Sequence, residues 1–330
     1  MINYCAVIVV VLAMLGAPLV ADLWHAWHPI PSGNTDQAVA ATSRLVASHR
    51  AEESERESSY FYDQDPLAKY LAGEEYMTRL SKESTVYGPP ATDTLHPVAL
   101  RTLSIDDRIL QMRPSQVVVI GAGMDARPYR LDLPDTHWFE VDMPVVVETK
   151  ETLLSSLDPS LTIRTVHSLQ RISFNFDSEL SHMFFLLEQC GYNSSASTLF
   201  LMEGVIMYLS INDVKKIFQS LPCSTGSKVI ASVINYKDHF LLTNPLILWA
   251  LAWAIPHFNS HEVAQLWHND QLSLYLTSAF SPWKVQTNVN IGIEQMEKRG
   301  LYLTRFAEHM MIPNMKTTPE NILELSPPGS

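Results

Sequence analysis

The sequence predicts an α/β protein built on a mostly parallel, doubly wound sheet. Short runs of β-branched and other apolar residues recur from about residue 115 onward, and helical patterns separate them. A glycine-rich turn follows the first of these runs, in VVVIGAGMDARPYRLDLP at 117–134. A glycine turn after the first strand is typical of doubly wound folds, which bind ligands at the carboxyl ends of their strands.

The expected sheet contains five strands in this part of the chain. The first, 117–120, is a β-branched run of the kind that is buried on both faces of a parallel sheet. The third strand has two candidate positions, 161–166 and 172–176. The other three strands are expected at 137–141, 198–202 and 228–233.

Helices are expected to connect these strands. One begins near Pro144, since proline suits the first helical turn, and a capped crossover helix covers 210–221. Two further strands, 283–290 and 301–306, are expected to form a closing pair. Gly300 ends the helix that lies between them.

The chain divides into three predicted regions. Residues 1–28 form a hydrophobic N-terminal segment, 29–114 a helical cap, and 115–330 the α/β domain, with an apolar lid inserted at about 236–282. The cap contains a charged run, AEESERES at 51–58, which is expected to be a solvated helix face.

The N-terminal segment contains an uncharged stretch from Cys5 to Ala21. Its length suits a short membrane helix or the apolar region of a signal peptide. Because no lysine or arginine precedes Arg44, the positive-inside rule gives no orientation. We expect an uncleaved anchor that associates the protein with a membrane, and a cleaved signal leading into the secretory pathway is the alternative.

Composition and charge narrow the classes of function. With 46% hydrophobic and 18% charged residues among 330, the chain can bury a large core. The net charge of −12 gives no sign of a basic face for nucleic acid, so we expect no nucleic-acid partner. Three scattered cysteines without a Cys-x-x-Cys spacing predict neither a disulfide framework nor a metal site.

The glycine turn and a later acid form a candidate binding site. Gly121 and Gly123 allow the backbone to approach a ligand closely where a strand meets a helix. Asp142 follows about 20 residues on, where an acid accepts hydrogen bonds from ribose hydroxyls. The spacing suits a dinucleotide or another adenosine-containing cofactor, and a purely structural tight turn is the alternative.

Several other blocks resemble the leucine carboxyl methyltransferase family. They are, in order, RAEESERESSYFYDQDPLAKYLAG at 50–73, LRTLSIDDRIL at 100–110, the glycine-turn block at 117–134, FEVDMPVVVETKETLL at 139–154 and TLFLMEGVIMYLS at 198–210. The resemblance implies a Rossmann-like class I methyltransferase fold with a helical N-terminal cap and a C-terminal lid. It also implies S-adenosylmethionine as the cofactor and O-methylation as the reaction.

The resemblance assigns Arg101 to the carboxylate of the cofactor's methionine part. A guanidinium suits that role because it can donate two parallel hydrogen bonds to one carboxylate. The alternative is a surface arginine paired with Asp106 or Asp107.

The resemblance also assigns the other residues of the matching blocks. Gly121 and Gly123 would line the cofactor's amino-acid part, and Asp142 would hold its ribose hydroxyls. Glu203 would contact the amino-acid end from the carboxyl end of its strand. Tyr208 would help hold the acceptor's carboxylate, and a tyrosine packed in the core is the alternative.

The sequence departs from the family at the adenine contact. Relatives carry an acid followed by an apolar residue after the third strand, whereas this chain has ISFNFDSEL there. We expect Asn175 to replace the acid, with Phe176 beside it, since an amide oxygen can still accept from the adenine amino group. Asp177 is the competing assignment.

The sequence favours a carboxylate or an acidic hydroxyl as the acceptor, because it shows no evident general base. A carboxylate needs no base, and no histidine lies in a motif that marks it as one, although His96 and His167 are candidates. The catalytic residues therefore stay unassigned. A small-molecule acceptor is expected, with a protein C-terminus as the alternative.

Two other functions stay open. The Asn175 change could accompany a cofactor-binding pseudoenzyme, and the glycine turn alone also suits an NAD-dependent oxidoreductase. Because S-adenosylmethionine is made in the cytosol, we expect a catalytic domain that faces the cytosol.

Overall fold

The computed structural model describes residues 35–57, 59–61, 65–78, 94–95, 97–176, 178–206, 209, 211–234, 278–300, 302–303 and 320–329. The α-helices referred to below are α1 (Thr35–Ser54), α2 (Ala68–Ala72), α3 (Pro97–Met112), α4 (Pro144–Ser155), α5 (Leu180–Gln189), α6 (Ile211–Ser220) and α7 (Ile291–Arg299). The strands are β1 (Thr94–Leu95), β2 (Gln116–Ile120), β3 (Leu133–Asp142), β4 (Val166–Ser173), β5 (Thr198–Met202), β6 (Lys228–Ile234), β7 (Lys284–Asn290), β8 (Tyr302–Leu303) and β9 (Glu320–Ser326).

The main sheet has the strand order β4-β3-β2-β5-β6-β9-β7 in the described part of the chain. The pairs from β4 to β6 are all parallel, whereas β9 runs antiparallel to both of its neighbours. The chain moves outward from β2 to β4 and then returns to β5 on the other side of β2. This reversal creates a topological switch point between β2 and β5, where ligands of such sheets bind.

The central strand is buried on both faces. Val118 and Ile120 of β2 belong to one apolar cluster, which includes residues of α5 and α6. Val117 and Val119 belong to a second cluster on the other face, which includes residues of α3. Helices therefore cover both faces, and the prediction of a mostly parallel, doubly wound α/β fold is confirmed.

Two details of the expected strands are wrong. The third strand, β4, starts at the end of one candidate segment and reaches into the other, since it spans Val166–Ser173. The expected closing pair is not seen among the described residues: β7 pairs with β9, and Tyr302–Leu303, the described part of the second expected strand, pairs with Thr94–Leu95 outside the main sheet. Strand β9 was not expected.

The charged run at 51–58 is not simply a solvated helix face. Glu53 is buried, and its carboxylate accepts from the backbone N–H of Tyr60 at 2.7 Å and from Arg56 at 3.0 Å. Arg50 and Ser54 are buried as well. The end of α1 therefore packs inward, because its charged groups find partners inside the protein.

The predicted membrane association is corrected. Among the helices of the described ranges, none is long and apolar enough to cross a bilayer. The stretch from Cys5 to Ala21, which supported that prediction, lies outside the described residues. The same holds for most of the expected lid at 236–282.

Candidate functional site

The glycine turn joins the ends of β2 and β3. The backbone N–H groups of Gly121 and Ala122 donate to the carbonyl of Val141 at 2.8 and 3.3 Å. Gly121 has φ 74°, and a Cβ there would lie 2.3 Å from a methyl carbon of Val205. Glycine is therefore required here by the backbone conformation and by the close approach of the loop after β5.

Asp142 ends β3 and closes the glycine turn. Its Oδ2 accepts from the N–H of Gly123 at 2.6 Å, and its Oδ1 accepts from the N–H of Met143 at 2.7 Å. Burial raises the pKa of Asp142, although both N–H groups favour the ionised form. Each carboxylate oxygen keeps a lone pair after these two bonds, so Asp142 can accept further hydrogen bonds from a ligand.

Arg101 and Glu203 meet across the switch point. Arg101 lies on α3 and Glu203 follows β5, and the Nε of Arg101 donates to Oε1 of Glu203 at 2.9 Å. Arg101 also pairs with Glu320, the first residue of β9, and is buried. The alternative of a surface arginine paired with Asp106 or Asp107 is therefore wrong.

Glu203 is fixed in the ionised state by two arginines. Its second oxygen, Oε2, accepts from Nη1 of Arg127 at 2.7 Å. Burial alone would raise the pKa of Glu203, but Arg127 and Arg101 outweigh it and lower the pKa to about 2. Glu203 therefore stays charged at neutral pH, and a carboxylate with so low a pKa is a weak base.

Arg127 is a central residue that the sequence analysis missed. Its guanidinium also donates to Asp106 at 2.7 Å and to Asp125 at 2.9 Å, and its side chain is only 3% exposed. Asp106 in turn accepts from Arg130 at 2.9 Å. The sequence signal was the pair of arginines in ARPYR, directly after the glycine turn.

The N-terminal helix α1 also reaches this site. Arg50 pairs with Asp65 at 3.1 Å and donates to the carbonyl of Met124 in the glycine turn. A Cβ at Gly123 would lie 3.1 Å from Cβ of Ser43. Residues of the predicted cap thus pack directly on the turn and limit its conformations.

The structure describes two of the four remaining candidate residues. Asn175 and Phe176 follow β4 beside Asp142, because the N–H of Phe174 donates to the carbonyl of Asp142 at 2.8 Å. Asn175 is exposed and Phe176 is half-buried, with its ring centroid 5.5 Å from that of Phe174. Tyr208 and Asp177 lie outside the described residues.

His167, the histidine candidate that the structure describes, does not reach this site. His167 lies near the amino end of β4, at the opposite end of the strand from Asn175, and its ring contacts that of His137. His96 lies outside the described residues. Where the structure describes the chain, no group of three or more histidine, cysteine or acidic side chains could hold a metal ion.

A model of the leucine carboxyl methyltransferase family matches residues 43–221. A protein of Mycobacterium marinum is 31% identical over 197 residues, which are 56% of this chain and 62% of that protein. A protein of Mycobacterium sp. strain KMS is 30% identical over 227 residues, which are 62% of this chain and 71% of that protein.

Both relatives carry the provisional name S-adenosyl-L-methionine-dependent methyltransferase, which agrees with the predicted enzyme class and cofactor. The chain spans less than two thirds of the length of the Mycobacterium marinum relative. Among solved structures, a DUF574 family protein from Streptomyces avermitilis overlaps 85% of this chain and 97% of its own, at 12% identity. Its TM-score of 0.45 is too low to add to what the strand order establishes.

Proposed function

The chain belongs to the leucine carboxyl methyltransferase family, and we propose on that basis that it is an S-adenosylmethionine-dependent O-methyltransferase. The proposed acceptor is a carboxylate or an acidic hydroxyl of a small molecule, and a protein C-terminal carboxylate is the second choice. The observation that carries the proposal is the meeting of three predicted elements at the switch point: the glycine turn, Asp142 and the Arg101–Glu203 pair.

The chemistry of these residues fits the cofactor. Asp142 has acceptor capacity left for a ribose diol, because its two hydrogen-bond donors are single backbone N–H groups. Arg101 supplies a positive group for an amino-acid carboxylate, and Gly121 and Gly123 keep side chains away from the turn. Asn175 and Phe176 lie next to Asp142 and are proposed to contact the adenine.

When bound, the cofactor supplies an electrophilic methyl group on a sulfonium. The protein's task is then to hold the acceptor in line with that methyl group and to exclude water. A carboxylate acceptor is already ionised and needs no general base. Glu203 is held in ion pairs with Arg101 and Arg127, so it is not available as a general base. We propose that Tyr208 helps orient the acceptor's carboxylate.

Isothermal titration of the purified chain with S-adenosylmethionine tests the cofactor assignment. We expect binding that Asp142→Ala weakens strongly and that Glu151→Gln, an exposed substitution on α4, leaves unchanged. Absence of binding, or binding that Asp142→Ala does not affect, would contradict the proposal. Titration with NAD under the same conditions separates it from an oxidoreductase.

A cofactor-binding pseudoenzyme is the second candidate, and Asn175 is the observation that favours it. Incubation with S-adenosylmethionine and a panel of small acids and phenols distinguishes the two. Methylated product and demethylated cofactor in equal amounts support the enzyme. Cofactor binding without product from any member of the panel supports the pseudoenzyme.

A further inference from the structure

Arg101 already has two anionic partners in the structure. Its Nε donates to Glu203 at 2.9 Å, and its Nη1 lies 3.1 and 3.2 Å from the two carboxylate oxygens of Glu320. All three side chains are largely buried. A ligand carboxylate that is to bind Arg101 therefore meets a guanidinium whose charge is already balanced.

The two partners hold Arg101 differently. Each oxygen of Glu203 has its own guanidinium, since Arg127 donates to the second oxygen at 2.7 Å. Toward Arg101, both oxygens of Glu320 contact the same nitrogen, Nη1, at distances longer than the roughly 2.7–2.9 Å of strong charge-assisted bonds. This contact also lacks the two-nitrogen geometry of a bidentate pair. Glu320 is therefore the partner that another carboxylate would replace more easily.

Glu320 also lies on the ligand side of the sheet. Strand β9 is antiparallel to β6, and Glu320 pairs in register with Ile234, the last residue of β6. The first residue of β9 is thus placed at the edge where the parallel strands end. A second acid on the same strand, Glu324, pairs in register with Ile230, farther from this edge.

We propose that Glu320 sets the cofactor affinity of this site by occupying the Arg101 contact that the cofactor's amino-acid carboxylate takes on binding. The inference rests on the proposed function. One carboxylate replaces the other, so Arg101 keeps two anionic partners before and after the exchange and is never left buried with only one. The cofactor has to displace Glu320, and the free energy of the Glu320–Arg101 contact is subtracted from its binding free energy.

The test compares Glu320→Gln with Glu324→Gln. Glu324 also pairs with an arginine of α3, Arg108, at 2.8 Å, so the control removes an equivalent α3–β9 ion pair away from the site. Isothermal titration of the full chain with S-adenosylmethionine and with S-adenosylhomocysteine should give roughly tenfold tighter binding for Glu320→Gln. Glu324→Gln should bind both as the unmodified chain does.

A ligand without a carboxylate distinguishes competition for Arg101 from a general increase in the affinity of the site for ligands. Methylthioadenosine has the same nucleoside but no amino-acid part, so Glu320→Gln should leave its affinity unchanged. Equal or weaker binding of S-adenosylmethionine by Glu320→Gln would overturn the inference and would make Glu320 a residue that positions Arg101. An equal gain for methylthioadenosine would overturn it as well.

Failure of the proposed function gives a different result. In that case the unmodified chain binds neither S-adenosylmethionine nor methylthioadenosine, and the inference falls with it. If circular dichroism shows that Glu320→Gln is unfolded, Glu320→Asp replaces it, since the shorter side chain retains the charge but withdraws it from Arg101. We then expect roughly threefold tighter binding of S-adenosylmethionine, and equal or weaker binding contradicts the inference.

Discussion

Asp142 and Glu203 are acids at the ends of two strands that flank β2, yet their surroundings are opposite. The carboxylate of Asp142 is held by two neutral backbone N–H groups, and burial raises its pKa. The carboxylate of Glu203 is held by Arg101 and Arg127; burial would raise its pKa too, but the two arginines lower it to about 2. Two largely buried acids at one edge of the sheet thus differ in the direction of their pKa shift.

The difference shows how one edge of a sheet can supply two kinds of acid. A carboxylate bound by neutral donors keeps acceptor capacity, which suits uncharged hydroxyl groups of a ligand. A carboxylate bound by two guanidinium groups has its charge balanced, and it orients those groups in turn. We therefore expect Asp142 to contribute mainly to binding of the cofactor. Glu203 should contribute to the stability of the folded protein as well.

Glu203→Gln should have the largest effect, because it leaves Arg101 and Arg127 buried with less negative charge around them. With a pKa of about 2 in the folded protein against an ordinary 4.5, Glu203 contributes about 3 kcal/mol to the free energy of unfolding at pH 7. Urea denaturation should show a loss of this size. Glu151→Gln removes a carboxylate that is 54% exposed and should cost roughly 0.5 kcal/mol or less.

The lowered pKa of Glu203 also predicts that the stability difference between the unmodified chain and Glu203→Gln depends on pH. A lowered pKa stabilises the folded state above the unfolded pKa of 4.5, and this contribution is lost as the pH falls toward 2. The stability difference between the unmodified chain and Glu203→Gln should therefore shrink over that interval. A difference that stays constant from pH 7 to pH 3 would contradict the ion-pair explanation.

Asp142→Asn should lower the affinity for S-adenosylmethionine by roughly 30-fold, about 2 kcal/mol. An amide at this position accepts less well from a ribose diol, and its NH₂ group faces a backbone N–H donor. Isothermal titration measures the loss. A change within twofold would show that Asp142 only closes the glycine turn.

The affinity of the unmodified chain for S-adenosylmethionine should fall on acidification. Hydroxyl donors need the ionised form of Asp142, and burial raises its pKa above 3.8, so the loss starts at a higher pH than for an ordinary aspartate. If the ribose contacts Asp142 as proposed, the affinity of Asp142→Asn should not show this fall. A fall of equal size in Asp142→Asn would mean that another group titrates.

The smallest expected effect is that of Asn175→Asp. If Asn175 replaces the family's acid at the adenine contact, the restored carboxylate should accept more strongly from the adenine amino group. We expect S-adenosylmethionine to bind roughly threefold more tightly, about 0.7 kcal/mol, in the same titration. Weaker or unchanged binding would favour Asp177 as the adenine contact.

The parallel core of the fold could be predicted from the sequence because its signal is local. The run at Thr198–Met202 has the predicted bounds, and β2 differs by one residue, since buried parallel strands are short and apolar throughout. Strand β9 escaped prediction because its sequence, ENILELS, places charged and polar residues among apolar ones. Its place between β6 and β7 depends on pairing over a long sequence distance.

The sequence predicted those residues of the site that lie in recognisable motifs. The glycine turn, Asp142, Arg101 and Glu203 lie in blocks that resemble one family, and the structure brings them to one edge of the sheet. The partners of these residues were not predictable in the same way. The two arginines of ARPYR mark the position of Arg127, but the local sequence does not distinguish a charged side chain that is buried in an ion pair from an exposed one, at Arg127 or at Glu320.

The position of β9 has a consequence for biosynthesis. Strand β9 lies between β6 and β7 but is synthesised after both, so β6 and β7 both lack this shared neighbour when they leave the ribosome. Unpaired strand edges invite pairing with other chains, and a nascent chain at this stage is exposed to aggregation. Completion of the sheet and arrival of Glu320 at Arg101 therefore occur together, after β6 and β7 have been synthesised.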